Sequence, residues 1–161
     1  MKLELIHYCV PGNIAKYGSR FLARVLKFCE RYDGDARPDV IWATLSAAMT
    51  AQSPHHMLLA AIDDNGEIVG HLVAEITNFY GEPAVFIQQL EFEKSARDGR
   101  KEVIAEGLKR LDDWGVYHGV GMHRIWARNE AVAKRFELLG FTRRPHILME
   151  RPVQRPDEEQ K

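Results

Sequence analysis

The chain has 161 residues, enough for one domain with a real buried core. Apolar residues make up 45% and charged residues 28%, an ordinary globular balance, and a net charge of −1 supplies no global field for nucleic acid. No run reaches the roughly eighteen apolar residues that span a bilayer, and two cysteines, Cys9 and Cys29, are too few for a disulfide scaffold.

The N-terminus MKLELIHYCV alternates charged with apolar residues, which is not a signal-peptide pattern. A cytoplasmic location and buried, reduced thiols are therefore expected. Residues 3–10 read as a first strand, closed by Pro11-Gly12. From 13 to 31 apolar residues recur at Ile14, Tyr17, Phe21, Val25 and Phe28, one face of a helix, which Asp33-Gly34-Asp35 breaks. A second helix starts near Pro38, carries Ile41, Leu45, Ala48 and Met49 on one side, and ends around Gln52-Ser53-Pro54.

Residues 56–62 and 67–77 are β-rich apolar runs joined by Asp63-Asp64-Asn65-Gly66, a strong hairpin signal. Tyr80-Gly81-Glu82-Pro83 turns the chain into a third run, 85–93, so an antiparallel meander is expected. A short basic turn, 97–101, then leads into a helix from about Lys101 to Gly115 whose expected buried face is Ile104, Leu108, Leu111 and Trp114. A strand at 122–127 follows. Asn129 is a suitable N-cap for a short helix bearing Val132, Phe136 and Leu139, and Gly140 ends it. Residues 141–151 read as a last strand, and 152–161 as a disordered polar tail.

The order β-α-α-β-β-β-α-β-α-β is that of an α+β fold, a mixed central β-sheet flanked by helices on both faces, in a single domain over 1–151. The stretch that organises it is 88–111. Its turn combines Gly99 with Arg97, Arg100 and Lys101, and helix N-terminal amides beside cations make a local site for a phosphate or pyrophosphate. The same spacing also describes an ordinary strand–turn–helix with a solvated turn.

With the ending Asn129…Arg135-Phe136-Glu137-Leu138-Leu139-Gly140-Phe141, this order resembles the GCN5-related N-acetyltransferase superfamily, over roughly residues 55–150. The resemblance implies acetyl-CoA as co-substrate and direct acetyl transfer to an amine on a small molecule or protein. It implies that the backbone of Leu90 to Phe92 pairs with the pantetheine arm. It also implies that loop amides from about Arg97 to Ala105, with Gly99, Arg100 and Lys101, hold the pyrophosphate, and it brings Asn129 into the cofactor site. Two departures stand out. The family's glycine-rich loop has no clean copy, since side chains with a Cβ occupy positions where close backbone approach to phosphate is needed. Phe136 occupies the position where many members carry a tyrosine that protonates the departing thiolate.

Amine acetylation needs a proton acceptor and donors for an oxyanion. A backbone N–H near Phe92 is the expected donor. Glu91 is the candidate base; Glu93 and Gln89 share its face at period two, and Glu75 is a weaker alternative. The bland reading is a strand emerging into solvent. His55, His56, His118 and His123 are scattered, with His123 a possible contact or a structural histidine. Trp42, Trp114 and Trp126 read as packing, and Arg143-Arg144 as a solvated edge. No metal-ligand spacing is present. The alternatives are a catalytically silent protein of the same fold, in a homodimer or a larger assembly such as a phage's, and a plain α+β interaction domain. No membrane or nucleic-acid partner is expected.

Overall fold

The computed structural model describes residues 4–7, 11–32, 38–50, 55–79, 81–96, 99–127 and 129–143. Its elements run β1 (Glu4–His7), α1 (Pro11–Tyr32), α2 (Pro38–Thr50), β2 (His56–Ile62), β3 (Ile68–Phe79), β4 (Glu82–Phe92), a 3₁₀ turn (Lys94–Ala96), α3 (Arg100–Tyr117), β5 (His123–Ile125) and α4 (Glu130–Glu137). Pro11 does not close the first strand; it opens α1, since a first-turn proline lacks only an N–H that the helix would leave unpaired. Residues 141–143 are not strand, and the rest of the expected last strand and tail lies outside the described residues, as do Cys9, Arg97, Asp98 and Arg144.

The sheet order is β1-β2-β3-β4-β5, antiparallel except for the parallel β4–β5 pair. The meander is local chemistry. Asp63 Oδ1 accepts from the backbone of Asn65 and Glu67, and Gly66 takes the positive φ, 77°, that lets β2 return as β3.

Alternation along β2 sends Leu58, Ala60 and Ile62 to one face and Leu59 and Ala61 to the other. The first face packs against Tyr17, Phe21, Leu22 and Val25 of α1 and Leu45 of α2. The second belongs with Val69, Ala96 and Val103, beneath α3. The contact line of α3 is Val103, Gly107, Leu111 and Gly115, while Ile104, Leu108 and Trp114 are only half-buried. The large side chains suggested the neighbouring line; the glycines shift it, because a helix approaches a sheet most closely where it carries no side chain. A Cβ on Gly115 would stand 3.0 Å from the Val120 carbonyl oxygen.

The first compact unit ends at Trp126 and a second begins at Ala127. In the second, Asn129 Oδ1 accepts from Val132 N–H at 3.0 Å and so caps α4. Gly140, at φ 89°, ends it. Its N–H reaches the Glu137 carbonyl, the Phe141 N–H reaches the Phe136 carbonyl, and the Phe136 and Phe141 rings meet edge to face at 5.3 Å. Arg143 is not a free edge charge. It bonds both carboxylate oxygens of Glu130 and also Glu137, and these bonds hold the Glu130 carboxyl below its usual range.

Candidate active site

Strand β5 is three residues long and pairs with Val85, Phe86 and Ile87 of β4. Beyond Ile87 the pairing stops, so among the described residues 88–92 have no strand partner on that side. A bulge sits at the parting: Val73 pairs with Gln89 and Ala74 with Ile87, leaving Gln88 as the extra residue. Past the bulge, Glu93 N–H bonds the Val69 carbonyl at 2.8 Å. Backbone groups alternate sides along an antiparallel strand, so those of Glu91 also face β3, and those of Leu90 and Phe92 face the open edge. That is a row of donors and acceptors suited to an extended, amide-bearing ligand.

The side chains of Leu90 and Phe92 turn toward α3, where they line an apolar hollow with Val103, Ile104 and Leu108. The Phe92 ring lies across Gly70, at which a Cβ would come within 2.5 Å of it. Arg100 crowns the ring at 5.8 Å and donates to the Glu93 carbonyl at 3.1 Å; its Nε is buried with no acceptor among the described residues. The open edge therefore ends at the start of α3.

There Gly99 occupies the N-cap with φ 82°, and no side chain caps the helix. The first-turn amides of Arg100, Lys101 and Glu102 have no acceptor within the helix, which leaves their partial positive charge for an anion. Lys101 and Glu102 are exposed.

On the opposite face, Glu91, Glu93 and Gln89 lie together as their spacing predicts, and α1 is their partner. Arg31 donates to Glu91 Oε1 at 2.9 Å; Arg24 bonds Glu93 at 2.6 Å and stands 3.9 Å from Glu91 Oε2. Arg24 also donates to His71 Nδ1 and to the carbonyls of Ile68 and Val69. His71 is bonded to Gln89 at 3.0 Å, and Gln89 to Cys29 Sγ at 3.0 Å. The sequence signal was available: Arg20, Arg24, Lys27 and Arg31 recur at helical spacing beside the apolar face of α1. Burial, reinforced by the charge of Arg24 and opposed by the Gln89 bond, lowers the His71 pKa to about 4.

The remaining candidates lie elsewhere. Glu75 is 3.7 Å from His56, and His123 is held at 2.6 Å by Asp112 of α3 as a tie between α3 and β5. His118 is packed among the rings of His55, Trp114 and Tyr117. Trp42 and Trp126 are not core residues; they are 47% and 41% exposed. Among the described residues no helix is long and apolar enough to cross a membrane.

By sequence the chain matches no family model and no curated protein. Its fold is similar to that of solved acetyltransferases. Aminoglycoside antibiotic 6'-N-acetyltransferase AAC(6')-Ih from Acinetobacter baumannii matches 94% of this chain and 99% of its own, with a TM-score of 0.68 and 19% identity. AAC(6')-Iy, solved with the bisubstrate analogue CoA-S-monomethyl-acetylneamine, matches 96% and 100%, with a TM-score of 0.68 and 15% identity. For glucosamine-6-phosphate N-acetyltransferase from Arabidopsis thaliana the values are 96%, 100%, 0.65 and 11%. At these identities the likeness is one of fold: the chain has the α+β fold of these solved structures.

Proposed function

We propose that the protein is an acetyl-CoA-dependent N-acetyltransferase that passes an acetyl group directly from the thioester sulfur to an amine nitrogen. The observation that carries this reading is the unpaired edge of β4 leading to the uncapped start of α3. Leu90 and Phe92 would pair through their backbones with the amides of the pantetheine arm, and the amides of Arg100 and Lys101, with the Lys101 ammonium, would face the pyrophosphate. The fit is a matter of donor sets: amides opposite an amide-bearing chain, and positive helix ends opposite phosphate.

Net transfer forms an amide and a free thiol, so one proton leaves nitrogen and one joins sulfur. Glu91 is the proposed acceptor of the first. Arg31 fixes one of its oxygens, while the other lies beyond hydrogen-bond reach of Arg24. Phe136 is buried against Phe141 as part of a helix cap and has no proton to give, so the thiolate leaves without help from that position.

Calorimetric titration with acetyl-CoA tests the reading. Micromolar binding, competed by CoA, supports it and justifies a screen of acceptor amines. Absence of binding at millimolar ligand overturns it. The Phe136 position would then favour a catalytically silent protein of this fold, to be pursued through macromolecular partners.

A further inference from the structure

We propose that Gln89 is a positioning residue. A circuit of hydrogen bonds from α1 back to α1, Arg24 to His71 to Gln89 to Cys29, part-buried at Arg24 and buried beyond it, holds β4 in the bulged conformation that presents the backbone groups of Leu90 and Phe92 at the open edge.

The direction of the circuit follows from its first member. An arginine can only donate, so His71 Nδ1, 3.2 Å from Arg24 Nε, must accept. The remaining ring proton is then on Nε2, and Gln89 Oε1 accepts it at 3.0 Å. This fixes the amide: its nitrogen points the other way, to Cys29 Sγ at 3.0 Å. The tautomer of His71 and the orientation of the Gln89 amide are thus both set by one guanidinium. His71, Gln89 and Cys29 are 2%, 9% and 7% exposed, so the last two links are largely shielded from water. An orphaned buried donor or acceptor is costly, and the Gln89 amide cannot turn over without setting its N–H against the His71 Nε2–H.

The circuit begins and ends on α1, five residues apart, and passes through β3 and β4. Both strands are irregular where it touches them. Gln89 follows the extra residue Gln88 and precedes Leu90, so its anchored side chain sets the backbone direction at the start of the open edge. On β3 the register shifts between its Gly70 and Ile68 pairings with β2, and there Arg24 takes the carbonyls of Ile68 and Val69. One helix thus supports two bulges, one directly and one through an imidazole and an amide. The inference depends on the acetyl-transfer reading for what the edge binds, but not for the circuit itself.

The experiment compares wild type with Gln89→Met, which keeps length and loses the bonds, and with Val73→Ala, a buried neighbour on the same face outside the circuit. Residue-resolved amide exchange, melting temperature and acetyl-CoA affinity are measured on each. Exchange at Gln89 and Glu91 is expected to rise at least tenfold in Gln89→Met and to stay near wild type in Val73→Ala. Affinity should fall at least tenfold in the first and less than twofold in the second. Cys29→Ala, a milder cut that leaves the rest of the core in place, should speed the same amides. Unchanged exchange at Gln89 and Glu91 in both circuit variants overturns the proposal. So does equal loss of affinity in Gln89→Met and Val73→Ala. If wild type does not bind acetyl-CoA, the functional reading fails, while the exchange result still decides the circuit.

Discussion

Arg24 donates to His71 Nδ1 from α1 to β3, and this bond sets the tautomer of an imidazole that burial keeps neutral. A pH dependence follows. Unfolded, the ring takes up a proton near its ordinary value of 6.5; folded, it does so only near 4. Between those values the unfolded state binds more protons, so falling pH favours it. The stabilisation is complete above about pH 6.5, is lost progressively down to about 4, and falls no further below. Since each tenfold in proton affinity is about 1.4 kcal/mol, the full loss is on the order of 3 kcal/mol. Urea unfolding of wild type and His71→Gln at pH 7, 5.5 and 4.5 should show the wild type losing more stability across this window. Parallel curves would reject the assignment.

What the sequence made legible was mostly local. Asn65-Gly66, Asn129 and Gly140 announce a turn, a cap and a stop through their own backbone preferences, and each stands in its expected role. The apolar period of α1 was equally plain, because Tyr17, Phe21, Val25 and Phe28 all face the core. The partners of Glu91 and Gln89 were not legible. Arg31 and Cys29 both lie 60 residues away, and only the crossing of α1 over the sheet brings them together. The role of His71, a lone polar residue in an apolar run, depends on the same crossing, because Arg24 is 47 residues away. The order of β2, β3 and β4 was readable because the meander is sequential. The parting of β4 and β5 was not, since it depends on how few residues β5 contributes.

Gly70→Ala tests the packing under the open edge. The new methyl would meet the Phe92 ring at 2.5 Å, and Arg100 stands over that ring at 5.8 Å. Overpacking of this kind costs about 1–3 kcal/mol. A drop in the urea midpoint together with weaker acetyl-CoA binding is expected. A stable variant with normal binding would show that Phe92 can move aside freely.

Gly140 and Asn129 set the ends of α4 through conformation and capping. A non-glycine residue at φ 89° is strained by about 1–2 kcal/mol, and loss of a side-chain N-cap costs about 1 kcal/mol. Gly140→Ala and Asn129→Ala should each raise amide exchange within α4 while leaving that of β3 unchanged. Equal acceleration in both elements would mean that the second unit does not open independently.

The start of α3 is predicted to carry the anion. Lys101 is exposed in the first turn, so Lys101→Glu places a negative charge beside the uncapped amides without disturbing a core contact. Acetyl-CoA affinity should fall about tenfold or more, equivalent to about 1.4 kcal/mol, and more steeply at low salt. Lys109→Glu, on the same helix two turns further on, should change it by less than twofold. If both reversals act alike, the effect is one of net charge and the site lies elsewhere.

Glu91→Gln separates proton transfer from architecture. Glutamine keeps an oxygen that can accept from Arg31, so the tie between α1 and β4 at 2.9 Å survives in weakened form, but the side chain no longer takes a proton. Loss of a general base costs about a hundredfold or more in turnover. With an acceptor amine identified, kcat should fall by that amount while acetyl-CoA affinity stays within twofold. Arg31→Met provides the contrast, because it frees the Glu91 carboxylate from its partner and leaves the base itself in place. If Glu91→Gln and Arg31→Met lower kcat equally, the ion pair rather than the proton matters, and Glu91 is a structural carboxylate. If Glu91→Gln leaves kcat intact, the proton goes directly to solvent, and β4 contributes to the reaction through its backbone alone.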